Sequence, residues 1–147
     1  MAAPTTASQA TAAEVWKLLL TCAMSQFGRT ASIAQGLGLT PGHVKALLAL
    51  DPNEPLAMGT LAQNFECDAS TMTWLVDRLE EKGLVERKGL PSDRRVKTVA
   101  LTHEGVKTKD DLEARMYEPP SAMLELDPDV LQSLHEVLGS LIAAAKQ

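Results

Sequence analysis

Between Ala12 and Phe27 the chain places apolar side chains on every side of a helix. Val15, Trp16, Leu18, Leu19, Leu20, Cys22, Ala23, Met24 and Phe27 spread over nearly the whole circumference, so no single core-facing stripe takes them all. Such a helix must be covered all round. A chain of 147 residues is one domain's worth of material and has little to spare for wrapping one helix. Two readings stand: a central helix wrapped by its own chain, or a helix shared with a second subunit. The second is preferred. A membrane span is not expected, because the run from Val15 to Met24, broken by Lys17 and Thr21, is about half of the ~20 apolar residues a span needs. An export signal is not expected either: no basic residue precedes Lys17, no small-residue cleavage site follows closely, and Leu20-Thr21-Cys22 lacks the basic start of a lipoprotein signal. Cys22 and Cys67 have neither metal-type spacing nor a disulfide framework around them. The simplest expectation is a reduced, cytoplasmic location.

Aromatic residues are only 3% of the chain and Leu, Ala, Val and Met dominate, which favours packed helices over a β-sandwich. Residues 1–10 are small and polar and read as a frayed tail. After Gly36-Leu37-Gly38, Thr40-Pro41 reads as an N-cap with proline at the first helical position, opening a helix with Val44, Leu47 and Leu48 on one face. A short helix follows from Met58 to Phe65, then a tight turn, Glu66-Cys67-Asp68. Asp68 caps a helix from Ala69 to Lys82 with the stripe Met72, Leu75, Val76, Leu79, ended by Gly83. Leu84–Lys88 and Val96–Leu101 are β-prone runs joined by a Gly-, Pro- and Ser-containing loop, a predicted hairpin. Thr102 then caps a helix from His103 towards Tyr117, and Asp127-Pro128 opens a last helix with a broad apolar face.

Helix, three-residue turn, helix and hairpin is the layout of a winged helix-turn-helix, so the expected fold is mainly α with a small β-hairpin. With the Met72–Leu79 stripe inward, Ser70, Trp74 and Asp77 point the other way, flanked by Thr71, Thr73 and Arg78. Small hydroxyl residues at the start of such a helix suit phosphates and base edges. Trp74 allows two readings, packing against a neighbouring loop or contact with thymine methyls and sugar in a groove. The formal charge of −5 argues against a generally basic nucleic-acid binder, but residues 82–97 carry a net +4 and the other 131 residues −9. Arg94 and Arg95 at the hairpin tip are poor core residues and suit the minor groove or phosphate. The candidate DNA contacts are therefore Ser70, Thr71, Thr73, Trp74, Arg78, Arg87, Lys88, Arg94, Arg95 and Lys97.

These residues also carry a resemblance. Leu61-Ala62, Asp68-Ala69-Ser70-Thr71-Met72-Thr73, the run from Leu75 to Val85, Asp93-Arg94-Arg95 and the exit Val99-Ala100-Leu101-Thr102-His103-Glu104-Gly105 resemble the multiple antibiotic resistance regulator (MarR) family. The match is strong from about Leu39 to Gly105 and rests on helix layout alone in the flanks. The resemblance implies a homodimeric transcription regulator, a repressor, on palindromic double-stranded DNA. It divides the chain into a tail (1–11), an N-terminal dimerisation helix and connection (12–38), a winged DNA-binding domain (39–102) and C-terminal dimerisation helices (103–147). Two positions depart from the family pattern. Trp74 stands where a basic or small polar residue is common, and Glu66 where glycine is common, so that turn must avoid a positive φ or bear strain. Asp93 is expected to orient a neighbouring arginine by a charge-assisted bond.

The resemblance further implies release of DNA by a small, often aromatic, effector. The residues that could line such a site are Trp16, Leu20, Met24, His43 and Leu47, each of which also reads as ordinary core. A thiol sensor at Cys22 is disfavoured by its apolar surroundings. His43, His103 and His135 are dispersed and offer no metal-ligand pair, so no metal and no cofactor are expected. No nucleophile–base pairing or phosphate-binding glycine loop points to an enzyme. The alternative reading is a winged-helix protein-interaction module without DNA binding, favoured by the acidic total and by Trp74 as an interface anchor.

Overall fold

The computed structural model describes residues 6–145. The order of elements is α1 (Thr6–Gly36), α2 (Pro41–Ala49), β1 (Leu56–Ala57), α3 (Met58–Asn64), α4 (Ala69–Glu81), β2 (Val85–Gly89), β3 (Lys97–Leu101), α5 (His103–Met116), α6 (Ser121–Leu124) and α7 (Pro128–Ala145). They fall into two compact units, one ending at Met116 and the other beginning at Tyr117.

The first helix is longer than the 12–27 segment expected from apolar content. Residues 6–11, expected to be tail, are helical, and residues 1–5 lie outside the described residues. No glycine or proline interrupts the chain from Thr6 to Phe27. The polar residues also fold into the helix: the Thr11 and Thr21 hydroxyls donate to the carbonyls of Ala7 and Lys17, one turn back. Only Ala34 of this helix is buried; Trp16, Leu18, Met24 and Phe27 are each more than 60% exposed. Within its own unit the first helix is therefore covered only towards its C-terminal end. In the second unit α7 is likewise without a buried residue, and Val130, Leu134, Val137 and Leu141 are exposed along one face.

The core of the first unit is built by α2, α4 and the sheet. Met72, Leu75, Val76 and Leu79 are all buried, as their spacing predicts, and they meet Val44, Leu47, Leu61, Leu84, Val85 and Val99. The sheet has three antiparallel strands in the order β1-β3-β2, with Leu56 opposite Val99 and Arg87 opposite Val99 on the other side. The two-residue β1 is not anticipated by the sequence, because Leu56-Ala57 is too short to show alternation. The C-terminal end of α1 and the whole of α5 pack onto this core: Ile33 and Leu37 from α1, Leu112, Val106 and Met116 from α5. Lys109 on α5 donates to the carbonyls of Leu48 (2.9 Å) and Leu50 (2.6 Å), which serves the open end of α2. Helix α5 thus belongs to the winged unit, whereas the sequence groups it with the C-terminal helices.

Three helices end in the same way. The amides of Leu39, Cys67 and Leu84 each reach back five residues, to Ala34, Ala62 and Leu79, and the residue before each adopts positive φ. At α1 and α4 that residue is glycine (Gly38, φ 64°; Gly83, φ 71°). At α3 it is Glu66, φ 51°.

The tightest contact is at Gly105, on the first turn of α5. A Cβ placed there would lie 1.8 Å from the Leu84 carbonyl oxygen, which already accepts from the Thr102 amide. Thr102 closes the junction by donating to Gly83 O (2.6 Å) and accepting from Gly105 N (3.0 Å). We expect Gly105→Ala to destabilise the protein by roughly 2 kcal/mol, because backbone has to move to admit one methyl. Urea unfolding checks this; an unchanged midpoint would contradict the packing described.

Candidate nucleic-acid interface

The outward face of α4 is positioned from below by its buried stripe and from its N-terminus by Asp68. The Asp68 carboxylate accepts from the Thr71 amide (2.8 Å) and the Thr71 hydroxyl (3.0 Å). The amide bond, first, and the hydroxyl bond, second, hold the Asp68 carboxyl below its ordinary pKa range. Thr71 is therefore engaged at the cap, while Ser70, Thr73 and Trp74 stand exposed on the face predicted for DNA.

The basic residues divide into two groups. Arg87, expected to reach DNA, is instead bound to α4. Its guanidinium donates to Glu80 (2.6 Å), Asp77 (2.5 Å) and the Thr73 carbonyl (3.3 Å), and its amide donates to Glu80 (3.2 Å). The side chain is 22% exposed. Burying most of an arginine beside two carboxylates gives it a structural partner set, so Arg87 is the tie between hairpin and recognition helix. Lys88 pairs with Glu86 (2.6 Å) and Arg78 with Glu81 (3.2 Å), both at the surface, where such pairs contribute little and re-form easily. Arg94, Arg95 and Lys97 have no ion-pair partner among the described residues, and all three are exposed. The tip's shape comes from Asp93, but not through a guanidinium as expected. Its carboxylate accepts from the Arg95 amide (3.0 Å) and its carbonyl from the Val96 amide (3.1 Å), a turn that leaves both arginine side chains outside.

Trp74 packs on a helix residue rather than on the expected loop, and much of it stays open. It is 56% exposed, and its ring also packs on His43 with centroids 4.6 Å apart and planes inclined at 49°. His43 itself is 2% exposed and takes part in a capping box. Its Nδ1 accepts from the Thr40 amide (3.1 Å) and lies 2.6 Å from the Thr40 hydroxyl, which accepts from the His43 amide. Burial first, and then the nearby Arg78 charge, hold the His43 pKa below 6.5. A cavity of about 460 Å³ opens beside the pair, walled by Thr40, His43, Trp74, Arg78 and Glu81. This contact joins residues 31 positions apart and is not legible in the sequence; the Thr40-x-x-His43 spacing is its one trace.

The five residues proposed to line an effector site do not come together within one chain. Leu47 is fully buried in the core and His43 nearly so, whereas Trp16, Leu20 and Met24 are exposed along α1. The all-round apolar character that suggests the site also puts these side chains on a surface their own chain leaves open. Among the described residues no group of His, Cys, Asp or Glu could hold a metal ion, and no helix is long and apolar enough to cross a membrane.

The MarR family model matches residues 39–97, from the last connection before α2 to the first residue of β3. A protein described as a putative transcriptional regulatory protein for the hcr operon of Thauera aromatica is 32% identical over 126 residues, covering 85% of this chain and 70% of that protein. The transcriptional repressor MdtR of Bacillus subtilis is 37% identical over 68 residues, 46% of this chain and 44% of its own length. Among solved structures, a MarR family protein from Bacillus stearothermophilus superposes with a TM-score of 0.79 at 26% identity, covering 95% of this chain and 98% of that one.

The geometry of the α3–α4 turn makes a direct prediction. Glu66 occupies a left-handed conformation that costs a residue with a Cβ roughly 1–2 kcal/mol. Glu66→Gly should therefore raise stability, by about 1 kcal/mol once the extra freedom of glycine in the unfolded chain is counted. Thermal and urea unfolding both report it, and a lower stability would overturn this account of the turn.

Proposed function

The chain belongs to the MarR family of winged-helix transcription regulators, which are not enzymes, and we propose that it is a homodimeric repressor that binds palindromic double-stranded DNA through two winged lobes. One observation carries the reading: on the hairpin, the cations nearer α4 are paired internally, while Arg94, Arg95 and Lys97 at and beside the tip have no ion-pair partner among the described residues and are exposed. Two adjacent exposed guanidinium groups without an internal partner make a local cationic spot on an acidic protein, free to meet an anion. Phosphate or a narrow minor groove supplies it. Ser70, Thr73, Trp74 and Arg78 then face the same duplex from α4. Thr71 is secondary because its hydroxyl serves the cap, Lys88 because it pairs with Glu86, and Arg87 is withdrawn as a contact.

The dimer follows from unburied apolar surface on two helices. Apolar residues of α1 and one face of α7 are exposed in the single chain, and exposing this much apolar area is rare in a soluble monomer. Pairing with a second copy covers it and gives the two-fold symmetry that a palindrome mirrors. Repression is supported by the similarity to MdtR, named as a repressor. Release by a small molecule belongs to the same proposal only with a second protomer covering the α1 side chains Trp16, Leu20 and Met24. Such a regulator acts where the genome is, in the cytoplasm.

Two measurements test the proposal. Arg94→Ala and Arg95→Ala should each weaken binding to DNA selected from genomic fragments and lower the slope of log K against log salt by about 0.9 for every phosphate no longer neutralised. Unchanged affinity and slope in both variants would refute wing contact. Separately, Val137→Glu should convert a dimer into monomers in sedimentation, since a charge on the α7 face cannot be buried unpaired. A wild-type protein that sediments as a monomer at micromolar concentration would refute the dimer.

A further inference from the structure

We propose that His43 is a positioning residue for DNA recognition: locked by Thr40, its ring fixes the indole of Trp74 and so the shape that α4 presents to the base edges. The proposal rests on the DNA-binding reading above. A tryptophan that is more than half exposed ordinarily samples several rotamers, and a mobile side chain is a poor reader of sequence because ordering it costs entropy on binding. Here the indole lies against a ring that is buried and bonded to the Thr40 cap. His43 is only 2% exposed, and its Nδ1 takes the Thr40 amide and faces the Thr40 hydroxyl at the N-terminus of α2. Because Nδ1 accepts, the ring proton is assigned to Nε2, which has no hydrogen-bond partner among the described residues. The Nε2 edge makes no polar bond there, and the ring's aromatic neighbour is Trp74. An amphipathic side chain has thus been placed at a buried helix start with one nitrogen serving the cap and one ring packed on an exposed indole.

The same arrangement makes the support conditional on the charge of His43. A second proton goes to Nδ1, which then can no longer accept from the Thr40 amide, so that half of the capping box is lost and the ring is left with the Thr40 hydroxyl, while that hydroxyl still accepts from the His43 amide. The charged groups facing the ring are those of α4, with Arg78 opposing the added charge and Asp77 and Glu81 on the same cavity, of which Asp77 is held by Arg87 and Glu81 by Arg78. From α1 the residues packed on this core are Ile33, Ala34 and Leu37, none titratable, and Lys109 of α5 is at the other end of α2. Since the folded protein holds His43 below 6.5, its contribution is complete above that value and is lost as pH falls through the lower, folded one.

The test uses the full-length protein and duplexes selected from a random-sequence pool by the wild type, with affinity read by fluorescence anisotropy. His43→Gln is the informative variant, because Gln at the third helical position can accept from the Thr40 amide and keep the capping box while removing the aromatic ring. We expect its melting temperature to stay close to wild type, and its affinity to fall roughly three- to tenfold, the worth of one aromatic pair. We expect Trp74→Ala to show a loss of the same size and His43→Gln to add nothing in the Trp74→Ala background. Repeating the selection with each variant should relax the same base positions. As the pH is lowered from 8 through the folded pKa of His43, the wild type should lose part of its advantage over His43→Gln. His43→Gln binding like wild type, or a further loss on adding it to Trp74→Ala, would overturn the positioning role. If Trp74→Ala is silent while Arg94→Ala is impaired, this proposal fails and DNA binding stands. If the wild type retains no duplex at low salt, the DNA-binding reading falls and takes this one with it.

Discussion

The winged unit depends on one guanidinium. Arg87 leaves β2 and reaches two carboxylates and a carbonyl on α4, so the hairpin and this helix are joined by charge-assisted bonds at their edges as well as by the apolar contact beneath. A hairpin of two five-residue strands is marginal alone. Here one strand is fastened to α4, the other is paired on both sides between β1 and β2, and the exit is closed by Thr102 on Gly83. The tip can then carry adjacent, unpaired arginines without collapsing towards Asp77 or Glu80, because those acids are already occupied. Repulsion between Arg94 and Arg95 is tolerated because the restraints lie elsewhere on the hairpin.

The same division bears on how a chain of net charge −5 can present a cationic surface. Of the basic residues in 82–97, Arg87 is held within the fold by Asp77 and Glu80 of α4, and Lys88 pairs with Glu86 on its own strand. What remains for a polyanion is a small surface on an acidic protein, which favours contact at chosen points over indiscriminate attachment.

Much of this is legible in the sequence, and the failures are informative. The stripe Met72, Leu75, Val76, Leu79 and the caps Thr40, Asp68 and Thr102 are readable because helix periodicity and capping are local. Gly38 and Gly83 mark helix ends for the same reason. The internal bonds of Arg87 are not legible because a basic residue on a wing has the same one-dimensional appearance whether it meets phosphate or Glu80. Only the fold brings position 87 beside positions 77 and 80. Asp93 has a different donor from the one its neighbours suggest: it bonds a backbone amide, a choice that depends on the turn rather than on the adjacent side chain. His43 and Trp74 each stand out in the sequence, but for different sites, and nothing in the chain between them says that they touch. The effector set is scattered in the single chain for a physical reason. Its α1 members are marked by apolar character, which is also what an exposed helix-pairing face requires.

Gly105 has a mechanical meaning. With the backbone of α5 resting directly on the Leu84 carbonyl, no compressible side-chain layer separates the helix from the start of β2. A push along α5 is not absorbed there as rotamer changes but passed on, atom against atom, to the strand that carries Arg87. Helix and hairpin behave as one lever with a stiff joint. The distance between helix and hairpin is thereby set by backbone against backbone and not by the packing of side chains.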